Sequence, residues 1–154
     1  MLNKILVPLD GSPLAETALS SARELAQKFQ AQITLLRVLP ALVIMPELQG
    51  QLSAESELML GLEREAKLYL ARLAKRLSAA NIPVKTVVLE GNPVAEMILE
   101  VAADEAIDLV VMSTHGYSDS KRWAYGSVAN KVLQQAPCSI YLVRAKDIPD
   151  KYGG

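Results

Sequence analysis

Apolar residues in this chain follow two rhythms. Short dense runs, Lys4 to Leu9, Gln32 to Leu39, Val84 to Glu90, Asp108 to Met112 and Ser139 to Val143, are rich in Val, Ile and Leu, as β-strands are. Between them, apolar positions recur every three or four residues, the period of a helix with one face against a core. The first helical stretch begins at Ser12 with Pro13 in its first turn and places Ala15, Ala18, Leu19, Ala22, Leu25, Ala26 and Phe29 on one face. A second, roughly Glu55 to Ala80, buries Leu62, Ala66, Tyr69, Leu73 and Leu77 and turns Glu63, Arg64, Lys67 and Arg76 to water. Asn92-Pro93 repeats the start signal for a third, with the stripe Ala95, Ile98, Leu99 and Ala102, and a fourth runs from Ser127 and stops before Pro137.

Strands alternating with helices predict an α/β domain of three layers: an open parallel five-stranded sheet with right-handed crossovers and helices on both faces. Ile5-Leu6-Val7 and Leu109-Val110-Val111-Met112 are uninterrupted apolar runs, as expected of strands covered on both sides, so the first and fourth strands belong side by side at the centre. Lys85 and Thr86 interrupt the third run, and Ser139, Tyr141 and Arg144 give the fifth a mixed character. Both suit edges, and the strand order 3-2-1-4-5 follows. Ligands of such sheets bind outside the carboxyl ends of the strands where the order reverses. Here that crevice lies between the first and fourth strands, where Asp10-Gly11-Ser12 and the loop from Ser113 to Ser127 both open.

A length of 154 residues suits one domain, 1–146, with a tail at 147–154 that has little to bury and is expected to be flexible. Hydrophobic residues make up 51% but aromatics only 5%, so the core must be aliphatic. The formal net charge of -1 leaves no long-range field to gather nucleic acid or an anionic membrane. The longest strongly apolar stretch, Leu39 to Met45, contains Pro40 and falls far short of the roughly 20 residues of a membrane helix. The strand-like N-terminus lacks a secretory cleavage site, so a cytoplasmic location is expected. One cysteine, Cys138, cannot form an internal disulfide and reads as a structural thiol. Leu42, Val43, Ile44 and Met45 are unusual for a loop; they could form a partner surface or cover, or fold onto the second helix.

Candidate chemistry concentrates after the fourth strand. Ser113-Thr114-His115-Gly116 is followed, beyond Tyr117 to Tyr125, by Gly126-Ser127-Val128 at the start of a helical pattern. Glycine lets backbone approach an anion and the unpaired N–H groups of a helix start supply donors, which is what a phosphate needs. The chain has neither G-x-x-x-x-G-K-[ST] nor G-x-G-x-x-G after its first strand, so the P-loop and dinucleotide-dehydrogenase signatures are absent. A single His115 and a single Cys138 offer no zinc set, and His115 reads as a loop-fixing hydrogen bonder. Asp10 could take sugar hydroxyls or merely form the turn before Gly11-Ser12. Ser127 could bind phosphate or merely cap the fourth helix.

Taken together, Ile5 to Ser12, Val110 to Gly116, Gly126-Ser127-Val128 and Ala136-Pro137-Cys138 through Val143 resemble the universal stress proteins, and within them the ATP-binding, UspA-like members. The resemblance covers nearly the whole chain. It implies a homodimer that binds ATP or the related ADP or AMP and acts in the stress response with protein partners unknown; the edge-like fifth strand, with Ile140, Leu142 and Arg144 alternating, offers a pairing surface, and Mg2+ could accompany the nucleotide. By position it implies that Pro8, Leu9 and Asp10 line the adenosine end, with Asp10 on the ribose hydroxyls and Val38 at the adenine. Met112 and Ser113 would pass beneath the nucleotide, and Gly116, Gly126, Ser127 and Val128 would bind phosphates through backbone N–H groups and the Ser127 hydroxyl. The family's signature is Gly, two residues, Gly, nine residues, Gly, then Ser or Thr; its first Gly is Ser113 here, and Asp119 stands in the intervening loop with Lys121 and Arg122.

The expected function is that of a nucleotide-sensing binding module, with no catalytic residues. One alternative is a slow ATPase or an autophosphorylating protein using Ser118, Ser120 or Ser127, although the positioned base and fixed metal ligand of phosphoryl transfer are not evident. The other is an interaction module with a degenerate site that binds no nucleotide.

Overall fold

The structure, a computed structural model, describes residues 1–41, 52–114 and 126–144. In chain order the elements are β1 (Lys4–Leu9), α1 (Pro13–Glu16), α2 (Ala18–Phe29), β2 (Gln32–Leu39), α3 (Leu52–Ser78), β3 (Val84–Glu90), α4 (Val94–Asp104), β4 (Leu109–Ser113), α5 (Ser127–Gln135) and β5 (Ser139–Val143). The strands form one five-stranded sheet in the order β3-β2-β1-β4-β5, parallel throughout. Central β1 sets the register, with Leu6 opposite Thr34 on β2 and Val110 on β4. The expected topology, with β3 and β5 at the edges, is the observed one.

Alternation along the strands separates two cores. Ile5, Val7 and Leu9 of β1 join Ile33 and Leu35 of β2 beneath α2 and α3, where Ala22, Leu70 and Leu73 close the layer. Leu6, Leu36 and Val38 face the other way with Val110 and Met112, against Ile98 of α4 and Val132 of α5. Ala18, Ala22 and Ala26 lie on the buried side of α2, and their small side chains let that helix sit close to the sheet. Each fully buried Leu or Ile contributes about 1.5–3 kcal/mol relative to exposure.

Several sequence expectations need correction. The first helix is two helices, because the Thr17 hydroxyl and N–H both donate to the Leu14 carbonyl, at 2.6 and 3.2 Å. That closure three residues back ends α1 before α2 begins. Phe29, the last helical residue before left-handed Gln30, is 47% exposed rather than buried. Leu62 is also exposed, and no residue from 54 to 65 is buried, whereas Ala66, Leu70, Leu73 and Leu77 are. The 27 residues of α3 span about 40 Å and the eight of β2 only about 26 Å, so the helix outruns the sheet. Pro93 is the N-cap of α4 rather than a first-turn residue, while the Asn92 Nδ2 donates to the Ala41 carbonyl at 3.1 Å.

Asp108 stands just before β4, and its Oδ2 accepts from the N–H groups of both Asn3 and Lys4 at 2.9 Å, pinning the start of β1 beside β4. Cys138 packs against the α4–α5 core, and burial pushes its thiol pKa up. Among the described residues no helix is long and apolar enough to cross a membrane. The apolar residues 42–45, the loop 115–125 with His115, Gly116 and Asp119, and the tail 147–154 lie outside the described residues.

Candidate functional site

β1 and β4 are neighbours in the sheet, yet β1 leads to α1 on one face and β4 leads onward to α5 on the other. Their carboxyl ends therefore diverge and leave a cavity of about 430 Å³. Pro8, Leu9 and Asp10 form its β1 wall, Val38 its β2 wall, and Met112 and Ser113 its β4 wall, with Gly126, Ser127 and Val128 across the mouth. Every site residue expected from the sequence lines this cavity except Gly116, which lies outside the described residues.

The β1 wall is held by a compact turn. Asp10 Oδ1 accepts from the Ser12 N–H at 2.8 Å, and Ser12 Oγ in turn accepts from the Ala15 N–H at 3.1 Å, capping α1. Ser12 is only 2% exposed, so its hydroxyl is structural. Gly11 between them has φ of +87°, the left-handed backbone that glycine adopts without strain. The turn-forming reading of Asp10 thus holds for one oxygen, and the same residue still faces the cavity.

Across the mouth, α5 begins with Gly126 as N-cap, at φ -64° and ψ 161°, with no side-chain cap bond. Ser127 is therefore the first helical residue and not the cap. The Gly126 N–H donates to the Thr114 carbonyl at 2.6 Å, which engages the N–H that the resemblance assigns to phosphate. Its carbonyl accepts from the Asn130 N–H at 2.9 Å, the first turn of the helix. The N–H groups of Ser127, Val128 and Ala129 have no partner among the described residues, and all three residues line the cavity. A helix start of this kind favours an anion by about 0.3–1 kcal/mol. Ser113, where the signature has glycine, lies in extended strand backbone rather than at positive φ, so its side chain imposes no backbone strain.

Other lining residues were not singled out in the sequence. Pro40, Val94 and Ile98 give the cavity, with Val38 and Met112, an apolar end. Ile98 had been placed in the core stripe of its helix, and it does both jobs. Arg37 also lines the cavity, opposite Leu9 in the register and half-buried. Strand pairing brings it to the site; in the run Ile33 to Leu39 it is the one charged residue, a signal that does not by itself say which wall it joins. The buried Tyr69 hydroxyl of α3 has no hydrogen bond of good geometry among the described residues, and its pKa is pushed up by burial and then by the nearby Glu16 carboxylate. Among the described residues no cluster of His, Cys, Asp and Glu could hold a metal ion.

A parallel α/β sheet with a cavity over its strand ends, bordered by a helix start whose first N–H groups have no partner among the described residues, defines an α/β domain of the doubly wound class with a candidate ligand site. Within that class the chain belongs to the universal stress protein family, whose family model matches residues 1–144. It is 32% identical over 149 residues to the universal stress protein YxiE of Bacillus subtilis, covering 94% of this chain and 100% of the relative. Its fold matches that of the universal stress protein UspA from Lactobacillus plantarum with a TM-score of 0.83 at 29% identity, covering 93% of this chain and 98% of that one. A universal stress protein solved in complex with cAMP shares the fold, with a TM-score of 0.61 at 20% identity over 94% of this chain and 98% of that one.

Proposed function

We propose that the cavity binds an adenine nucleotide and that the chain works as a nucleotide-sensing regulator in the stress response. The observation that carries this reading is the placement of three N–H groups, on Ser127, Val128 and Ala129, that have no partner among the described residues, at the same cavity as Asp10. A phosphate at the helix start and a sugar at the carboxylate fit one ligand better than two. Val38, Pro40, Val94, Ile98 and Met112 then surround a flat apolar base. Pro8 and Leu9 complete the adenosine end, and Ser113 passes beneath. ATP, ADP and AMP share these features, and Mg2+ would accompany a polyphosphate. The relative solved with cAMP is in keeping with a nucleotide as the ligand.

Binding is favoured over turnover by the composition of the walls. Asp10 is the only carboxylate among the described lining residues, and one of its oxygens already accepts from Ser12. In-line phosphoryl transfer asks for a positioned base in addition to the groups that hold the ligand. The reading includes a cytoplasmic homodimer paired through β5, whose outer edge has no strand partner among the described residues.

Mass spectrometry of natively purified protein, looking for ATP, ADP or AMP, tests the reading directly. Gly126→Asp is the paired control, because it places a negative side chain at the helix start. We expect copurified or titrated nucleotide with the parent chain and loss of at least about tenfold in affinity with the variant, the scale of one charge-assisted bond. Unchanged ATP binding by Gly126→Asp would remove the pocket from consideration.

A further inference from the structure

One charged group in the cavity is left without a use by the nucleotide reading. Among the described lining residues the charged side chains are Asp10 and Arg37. Asp10 has the ribose to hold, whereas the Arg37 guanidinium makes no hydrogen bond or ion pair with any described residue; the salt bridges found are Lys67–Glu63, Lys85–Glu105 and Lys131–Glu96. It does not neutralise Asp10, although the two belong to adjacent strand ends: Arg37 is opposite Leu9, the residue before Asp10. Its Nη2 and Cζ lie 3.9 and 4.0 Å from where a Cβ on Gly11 would be. The guanidinium therefore covers the backbone just after Asp10, a space that the missing side chain leaves open. A half-buried guanidinium with five donors and no acceptor among the described residues must be met by water or by an anion in the cavity.

We propose that Arg37 receives a phosphate ester on the ribose of the bound nucleotide, so that the pocket prefers adenosine 5′-phosphates that also carry a 2′- or 3′-phosphate. This inference rests on the adenine-nucleotide reading and adds a second anion subsite to it. The two subsites are separate in space. β1 lies between β2, which carries Arg37, and β4, which leads to α5, and two strand spacings amount to about 10 Å. The 5′-phosphate goes to the α5 start, and the group next to Asp10 is the sugar. A carboxylate alone selects free ribose hydroxyls and repels a ribose phosphate; an adjacent arginine reverses that preference, as in dinucleotide sites that take the 2′-phosphate.

The test is calorimetric titration of the full chain with AMP, ADP, adenosine 3′,5′-bisphosphate and adenosine 2′,5′-bisphosphate, repeated with Arg37→Gln and Arg37→Lys. We expect one bisphosphate to bind about tenfold or more tighter than AMP, and the isomer that gains identifies which ribose oxygen carries the phosphate. ADP, with the same number of phosphates but none on the ribose, should show no Arg37 dependence. Arg37→Gln should erase the bisphosphate preference while holding AMP affinity within about twofold, which doubles as its folding control, and Arg37→Lys should retain part of the preference. Equal binding of AMP and both bisphosphates by the parent chain, or a preference that survives in Arg37→Gln, overturns the role of Arg37 and leaves the nucleotide pocket standing. Binding of none of the four ligands overturns both readings.

Discussion

The Gly126 N–H donates to the Thr114 carbonyl at 2.6 Å, so the residue that opens α5 is tied directly to the end of β4. This bond fixes where the helix starts relative to the sheet. In the proposed nucleotide site it leaves the next three residues as the phosphate donors. Gly126→Pro separates the two effects. Its φ of -64° and ψ of 161° match those of Pro93 at the N-cap of α4, -70° and 152°, so proline fits while its missing N–H breaks the bond. Urea unfolding should show a loss of about 1 kcal/mol, with nucleotide affinity changed far less than by Gly126→Asp. An equal loss of affinity in both variants would mean that the Gly126 N–H binds the ligand after all.

Asp10 and Ser12 can be separated in the same way. Asp10→Asn keeps an oxygen that can accept from the Ser12 N–H and removes the charge, so stability should hold within about 0.5 kcal/mol while ribose binding weakens. Ser12→Ala removes the α1 cap and leaves the Ala15 N–H unpaired, a loss of about 0.5–2 kcal/mol. Its affinity should follow only as the turn loosens. Denaturation and titration of both variants side by side would expose the opposite pattern, in which Asp10 is purely structural.

The strands were legible because each is a nearly unbroken aliphatic run between turn residues, and in an α/β fold that pattern carries both the strand positions and their places in the sheet. Ile5-Leu6-Val7 fits a strand covered on both faces, and Lys85 and Thr86 suit an edge. Helix interruptions were not legible, since the turn made by Thr17 with Leu14 leaves the three-to-four periodicity of Ala15, Ala18 and Ala22 intact. The cavity walls split along the same line. Residues at strand ends and helix starts carry local signals such as Asp-Gly-Ser and Gly-Ser. Arg37 reaches the cavity only through its register with β1, and the loss of the Gly126 N–H depends on a carbonyl across the loop.

Two leucines on α3 illustrate how sharply burial varies within one helix. Leu70 is fully buried between the helix and the sheet, whereas Leu68 is 63% exposed. Leu70→Ala should cost about 2–5 kcal/mol through lost transfer energy and the cavity it leaves. Leu68→Ala should stay within about 0.5 kcal/mol. Chemical denaturation of the pair checks this, and equal losses would place the α3 interface differently.

Asp108 makes stability depend on acid. Its two backbone hydrogen bonds, from Asn3 and then Lys4, lower its pKa below the ordinary 3.8. A carboxylate with a depressed folded-state pKa contributes stability above its unfolded pKa and loses it as pH falls through the folded value. The stability difference between the parent chain and Asp108→Ala should therefore be constant from about pH 5 to 7 and shrink below about pH 4. Urea midpoints across that range would read it. A difference that persists unchanged at pH 2 would show that the contact does not require the charge.

Dimerisation through β5 has a direct structural test in Tyr141. The strand pairs on one side with β4, placing Tyr141 opposite Val111, and its other edge has no strand beside it among the described residues. Tyr141 is 46% exposed there, a large ring on an open edge, which is the kind of surface that adds a second strand or must be blocked by charge. Tyr141→Lys supplies that block without touching the β4 hydrogen bonds or the cavity. Sedimentation at micromolar concentration should give a dimer for the parent chain and a shift towards monomer for the variant, with nucleotide affinity per chain unchanged. A parent chain that sediments only as monomer removes the dimer from the proposed function. If Tyr141→Lys remains fully dimeric, the pairing surface lies elsewhere, and the open β5 edge needs another explanation.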